Sequence, residues 1–478
     1  MEGTAEAQFL YWRFAMLGVA SLVAWNVYIV SSDFFRWEFR DTPFQNNFES
    51  VFSILSNGVN LGALCYALYT QTKADHDRRI RNGLLATVAA FGAIFLLPVL
   101  GIGGWAALVL ALLALCTASV AAAYVQCSIL GIVALLPPYC AEGFMSGQAI
   151  AGTVASAVQL ITVYANRSGQ GSNLVEAATD ERGPQLRLCA AAYFCISALF
   201  LALSTAAWRQ LDGHLVRHHS STVYEEAAVQ STDSIDEDSR QQPHTVYAAG
   251  LVDEATLGTG HPLGLVDPCG APNGRAEGAV PPVLGSTGSR IAEWLASLGL
   301  QNAEEIWATV LETQPFVIIC AVVMGQTLAV FPPLTEAIIS APRSTVQVAH
   351  ITAWHFLIFN IGDYAGRVST KWIRPTSARI LHWVNHSRWL LVPALLLFPT
   401  AATPPQRTLL IHSDLLFLLL ALVLGWTNGW VATSALILGP RGATNKELAG
   451  AVLGLALCLG LVGGALASYP ILLIAGVS

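Results

Sequence analysis

The sequence predicts an all-α polytopic membrane protein with about eleven transmembrane helices in two unequal bundles, and three observations predict it. Only 12% of the 478 residues are charged while 54% are hydrophobic, and the mean hydropathy is +0.54. A soluble domain carries about 25% charged residues, so this chain has too little polar surface to stay dissolved. Apolar runs long enough to cross a bilayer, about 20 residues each, recur along the chain. The basic residues between those runs sort to alternate connections. Helices are the expected element, because an open sheet leaves its backbone unsatisfied in lipid.

The candidate spans lie near 14–35, 48–71, 83–101, 105–137, 143–165, 187–208, 314–340, 346–370, 388–402, 414–438 and 448–474. The first lacks a basic leader and a small-residue cleavage site, so a retained helix is expected and not a removed signal peptide. The fourth is long and stops at Pro137 and Pro138, which cannot continue a helix. The ninth is short and carries Pro393 and Pro399. Between the sixth and seventh spans, residues 220–290 are rich in Ser, Thr, Gly, Pro and acid, as in the run from Glu225 to Arg240. Such a segment buries too little apolar surface to fold alone. The expected division is therefore a six-helix bundle over 1–208, a largely disordered cytoplasmic loop over 209–313, and a five-helix bundle over 314–478. Residues from Arg290 to Leu311 show helical periodicity through Ile291, Leu295 and Leu298, which suits a helix at the membrane surface.

With a cytoplasmic N-terminus, seventeen of the 24 Lys and Arg residues fall on cytoplasmic segments. They include Arg78, Arg79 and Arg81, Lys371 and Arg374, and Arg388. This is the positive-inside bias, and it survives removal of the long loop. An odd number of spans places Ser478 outside the cell or in a lumen. Two glycosylation sequons then separate: Asn166-Arg167-Ser168 falls outside and Asn385-His386-Ser387 inside, which makes Asn166 the candidate acceptor.

No catalytic constellation appears. GxSxG, HExxH and a Walker loop are absent, and the histidines lack metal-binding spacing, so no enzyme, cofactor or metal site is expected. Eight of the nine cysteines lie in or beside apolar runs and no CxxC occurs, which argues for packing residues. The absence of a basic stripe argues against nucleic-acid binding. The remaining partners are membrane lipid and a small solute.

Polar residues inside spans are costly and mark cavities or helix contacts. Four clusters stand out: Trp25-Asn26, Gln126 with Ser128, Ser146 to Gln148, and Phe356, Asn360, Asp363 and Arg367. The last four follow i, i+4, i+7, i+11 spacing and share one helical face. Asp363 and Arg367 can pair, which lowers the cost of both charges. On spacing alone the pair is either a structural lock or a ligand site. Gln126 could read a nucleobase edge or glue two helices, and Trp25 could stack on a planar ligand or fill the core.

Several motifs resemble those of the equilibrative nucleoside transporter family, in the same order. LGVASLVAWN from Leu17 to Asn26 is similar to the family's LGxGxLLPWN. The stretch from Gln126 to Gly152 is similar to its QGSxFGxxxxLPxxYxxxxMSGQxxAG, and FNIGDYAGR from Phe359 to Arg367 to its FNxxDxxGR. NGW from Asn428 to Trp430 resembles NGY. The resemblance implies a fold like the major facilitators, in a 6+5 arrangement. It also implies alternating-access transport of nucleosides, with nucleobases as a second cargo. By this likeness the substrate residues are Leu22, Trp25, Gln126, Phe356, Asn360, Asp363 and Arg367, with Gln126 on the base and Asp363 and Arg367 on the ribose hydroxyls. Ala24 stands where the family has proline, so the first helix should be straighter. Cys127 replaces a glycine, and Ala122 replaces the glycine of inhibitor-sensitive members. Two further readings remain: a carrier of another polar metabolite, and a non-transporting receptor or scaffold. Glu49, Glu142 and Glu336 are the carboxylates that could couple a proton. Both the plasma membrane and a vacuolar or lysosomal membrane remain open as locations.

Overall fold

The structure is a computed structural model that describes all residues except 1, 46, 169–177, 239–300, 341–347, 349, 376, 401–410 and 478. The described chain is helical. Its elements are α1 (Glu2–Val30), α2 (Ser32–Glu38), α3 (Phe48–Tyr69), α4 (His76–Leu100), α5 (Gly104–Leu135), α6 (Pro138–Ser168), α7 (Ala178–Asp238), α8 (Gln301–Glu312), α9 (Gln314–Val330), α10 (Pro333–Ala337), α11 (Ile351–Ser369), α12 (Ala378–Ser387), α13 (Leu391–Leu395), α14 (Asp414–Leu438) and α15 (Lys446–Ala475). Among the described residues, nine helices are long and apolar enough to cross a membrane. The eighth and ninth expected segments are not among those nine: the 19-residue α11 packs between α6 and α14, and the shorter α12 packs on α9 and α14.

Local chemistry sets several boundaries. The Asp75 side chain accepts from the Arg78 amide at 3.0 Å to start α4, and Asn445 accepts from Leu448 at 2.9 Å to start α15. Gly101 and Gly476 end α4 and α15 with φ of 67° and 77°, a left-handed turn that glycine takes without strain. α1 runs unbroken through Ala24.

Four boundaries differ from the sequence reading. α1 begins well before residue 14 and stops at Val30. α2 then packs on α7, where Arg187 donates to the buried Glu38 at 2.7 Å. The ninth segment begins at Ala378 rather than 388; His382, Asn385 and His386 made its first half read as a loop, yet Leu381 and Asn385 are fully buried. α7 continues helically to Asp238, into the stretch expected to be a loop. Arg367 and Arg388 are buried in the bundle and do not belong to a cytoplasmic loop tally, although the charge bias persists without them.

The two bundles meet along α6 with α11 and along α5 with α15. One end of the assembly gathers Arg78, Arg79, Arg81, Lys371, Arg374 and Lys446 and is here called the basic end. There the bundles are pinned across their boundary. His76 Nε2 lies 2.9 Å from Glu447 Oε1, Gln71 donates to the same carboxylate at 3.2 Å, Arg374 lies 3.6 Å from the buried Glu142, and Lys371 sits 3.7 Å over the Tyr11 ring. α8 seals the same end: Asn302 donates to the Tyr69 carbonyl of α3 at 3.1 Å, and Asn445 of α15 donates to Glu305 at 2.9 Å. The expected periodicity from Arg290 is thus helical from Gln301 onward, and its earlier part lies outside the described residues.

Candidate functional site

The site starts from how closely α11 and α14 approach. Gly362 and Gly366 on α11, and Gly425 and Gly429 on α14, each face the other helix's backbone: a Cβ on Gly366 would collide with the Trp426 carbonyl, and one on Gly429 with the Asp363 carbonyl. Paired small residues at i, i+4 let two backbones touch where lipid gives no hydrophobic drive. That contact delivers Asn428 to Asp363, whose Oδ1 accepts from Asn428 Nδ2 at 2.7 Å.

Asp363 and Arg367 are both buried, at 5% and 7% exposure, and they pair: Arg367 Nε donates to Asp363 Oδ2 at 2.8 Å. Both carboxylate oxygens are therefore satisfied by donors, which fits an ionised Asp363 with no unpaired charge. Arg367 also crosses the bundle boundary. Its Nη1 donates to the Met145 carbonyl of α6 at 3.0 Å and approaches Gln148 Oε1 at 3.5 Å. Gln148 in turn donates to Ser21 of α1 at 3.3 Å. One chain of hydrogen bonds thus joins α14, α11, α6 and α1.

A turn away, Asn360 donates to Ser156 Oγ at 2.7 Å and to the Phe356 carbonyl at 2.9 Å, and the Thr153 hydroxyl donates to the Asn360 carbonyl at 3.3 Å. Asn360 is thus a second contact between α11 and α6. Phe356 is half-buried, with its ring 5.1 Å from Phe331. The structure brings Asn360, Asp363 and Arg367 to the bundle boundary as their shared face predicts. Leu22 and Trp25 on α1 and Gln126 on α5 are half-buried and, among the described residues, no hydrogen bond ties them to the α11 cluster. Asn26 donates to its own helix at the Leu22 carbonyl, 3.0 Å away, a structural role. A groove of about 730 Å³ between α4 and α5 includes none of these residues.

Asn166, the candidate glycan acceptor, lies in the last turn of α6, with its side chain outside the described residues. Asn385 is fully buried and donates to the Ile319 carbonyl at 3.3 Å. Sequence reasoning missed Thr327 of α9, which bonds Asn428, and Arg388 at the α12–α13 junction, which donates to Thr327 and to Gln326. Arg388 sits beside His386 and Ser387 and reads as the edge of a loop.

The family described as Nucleoside transporter matches residues 112–473. Rat (Rattus norvegicus) equilibrative nucleoside transporter 3 is 23% identical over 92% of this chain and 83% of its own length. Arabidopsis thaliana equilibrative nucleotide transporter 6 is 24% identical over 98% of this chain and 94% of its own. Human (Homo sapiens) equilibrative nucleoside transporter 1 is 31% identical over 30% of this chain and 32% of its own. Among solved structures, the fold is similar to the major facilitator FucP in its outward conformation, with TM-score 0.53, 12% identity and coverage of 99% and 96% of the two chains. The proton:xylose symporter XylE superposes with TM-score 0.54 at 12% identity, covering 98% of this chain and 89% of that one. The chain is a multi-pass integral membrane protein with the major facilitator fold.

Proposed function

The chain belongs to the nucleoside transporter family, and on that premise we propose that it carries nucleosides across its membrane by alternating access, with nucleobases as a second cargo. The observation that carries the reading is Arg367. Its guanidinium spans the bundle boundary, held by Asp363 on one side and by the Met145 carbonyl and Gln148 on the other. A polyhydroxylated solute entering there would exchange hydrogen bonds with groups that also hold the bundles together. Binding and rocking would then draw on the same contacts, as alternating access requires. Asp363 offers acceptors and Arg367 donors, a pairing suited to vicinal ribose hydroxyls. Asn360 and Phe356 extend that face toward α6, while Trp25 and Leu22 on α1 and Gln126 on α5 take the base, the Gln126 amide matching a base edge with one donor and one acceptor.

The positive charges at the basic end support a cytoplasmic placement of that end and of the N-terminus, with Ser478 outside or in a lumen of the plasma, vacuolar or lysosomal membrane. The close pinning of the bundles at the basic end fits a state closed on that side. Uptake of a labelled nucleoside into proteoliposomes tests the proposal: saturable flux with counterflow is expected, and a receptor or scaffold gives none. Repeating the flux with and without a pH gradient tells facilitated diffusion from proton coupling through Glu142 or Glu336.

A further inference from the structure

Arg388 lies between α12 and α13, 3% exposed, inside the C-terminal bundle. Among the described residues no carboxylate stands within ion-pair distance of it. Its five N–H groups instead meet five oxygens. Nε donates to Thr427 Oγ1 at 3.0 Å; Nη1 to the Val323 carbonyl at 2.9 Å and Gln326 Oε1 at 3.3 Å; Nη2 to Thr327 Oγ1 at 2.5 Å and the Leu424 carbonyl at 3.5 Å. A buried guanidinium without a counter-ion is expensive, and a structure that keeps one uses it for something a neutral side chain does not supply.

The partners of Thr327 show what that is. Its hydroxyl lies 2.8 Å from Asn428 Oδ1 as well as 2.5 Å from Arg388 Nη2. Guanidinium nitrogens only donate, so the hydroxyl must turn its lone pairs to Arg388 and is free to give its proton to Asn428. Asn428 then presents its oxygen to Thr327 and its NH₂ to Asp363, whose ionised oxygen only accepts. Every bond from Arg388 through Thr327 and Asn428 to Asp363 runs in one direction. Without the guanidinium nothing holds the lone pairs of the Thr327 hydroxyl, its proton divides between Asn428 Oδ1 and the Val323 carbonyl, each 2.8 Å away, and Asn428 is held by Asp363 alone.

We propose that Arg388 is a positioning residue for the solute site: through Thr327 and Asn428 it orients Asp363 for hydroxyl recognition without touching the solute. This rests on the reading of Asp363 as a ribose contact. All of Arg388's partners lie on α9 and α14, so the relay travels with one bundle when the two rock. Its loss therefore acts on solute affinity and hydroxyl preference more than on turnover.

The competing role is a plain staple between α9, α12 and α14. Arg388→Gln and Arg388→Lys bear on it, but either could fail to fold. Two threonine variants separate the roles, since each removes one hydroxyl that accepts from the same guanidinium. Thr327→Val cuts the relay, and Thr427→Val removes a contact off the relay. In proteoliposomes, Thr327→Val is expected to raise the nucleoside KM about three- to tenfold, the scale of one lost hydrogen bond. Its Vmax should stay within about twofold, and its preference for the nucleoside over the 2′,3′-dideoxy analogue should shrink by a similar factor. Thr427→Val should leave KM and preference at the wild-type values, with the same thermal midpoint as Thr327→Val. Equal KM and preference in the two variants would overturn the relay and leave the staple. If the wild type itself shows no hydroxyl preference, the ribose reading of Asp363 falls, and the relay falls with it.

Discussion

Neutralising Asp363 tests whether the Asp363–Arg367 pair is a lock or a solute site. Asp363→Asn removes the one carboxylate held by Arg367 at 2.8 Å and by Asn428 at 2.7 Å, at a position only 5% exposed. It leaves the buried guanidinium of Arg367 without its paired anion. Breaking a buried pair by removing one partner costs about 3–5 kcal/mol, or roughly two to four decades in the folded fraction. Asp363→Asn with Arg367→Gln removes both charges while keeping amides that can bond to each other and to Met145 and Gln148. A neutral replacement of a buried pair is often close to neutral in stability. The double variant should therefore regain most of the thermal midpoint that the single variant loses. Transport behaves differently if the pair binds ribose. A charged hydrogen bond to a hydroxyl is worth about 1.5–3 kcal/mol, so losing even one lowers kcat/KM about ten- to hundredfold. The assay is the thermal midpoint of the purified protein beside initial uptake of a nucleoside and of its analogue lacking both ribose hydroxyls. The expected result is a double variant that is folded, slow, and indifferent to the hydroxyls. A double variant that recovers both the midpoint and the wild-type preference would refute the reasoning and make the pair a lock.

Other consequences can be checked singly. Gly366→Leu should drive α11 from α14, since even a Cβ there meets the Trp426 carbonyl; a loss of about 1–3 kcal/mol or more is expected, read as a lower midpoint and lost uptake. Deleting residues 220–290 should spare flux in protein that reaches its membrane, whereas deleting Gln301–Glu312 should impair it, because α8 is bonded to α3 and α15. Enzymatic deglycosylation with site variants should place any glycan on Asn166; a glycan on Asn385, which is fully buried, would overturn the topology. Glu447→Ala removes the partner of His76 and Gln71 and should loosen the basic end. With Cys127 as the single cysteine, labelling by an impermeant maleimide added at that end should speed up severalfold, because Cys127 is buried against Gln71 in the closed arrangement.

What the sequence could and could not disclose follows from how each signal is encoded. Spans are written as runs of about 20 apolar residues, and a long run such as Gly104–Leu135 survives any local irregularity. The shared face of Asn360, Asp363 and Arg367 is likewise a matter of spacing on one helix, and the structure keeps them on one face. Which helix meets that face is a different kind of fact. Asn428 is 65 residues from Asp363, and the two touch only because four glycines on α11 and α14 remove the side chains between the backbones. A glycine pair at i, i+4 announces a close contact but not its partner, and this chain holds 40 glycines. Arg388 was hidden for the opposite reason. The polar run His382 to Arg388 looks like a connection because polarity in sequence is counted per residue, whereas in the fold it is counted per face. Leu381, Asn385 and Arg388 turn inward as one buried stripe while Trp383 and Trp389 stay exposed. A basic residue next to a helix end is normally charge for the interface, and only the five oxygens gathered around this one mark it as part of the interior. The same distinction applies at Arg367, whose partner Asp363 four residues away was legible but whose bond to the Met145 carbonyl, across the bundle boundary, was not. On the proposed function, recognition of the solute and movement of the bundles meet in that bond, and only the fold supplies it.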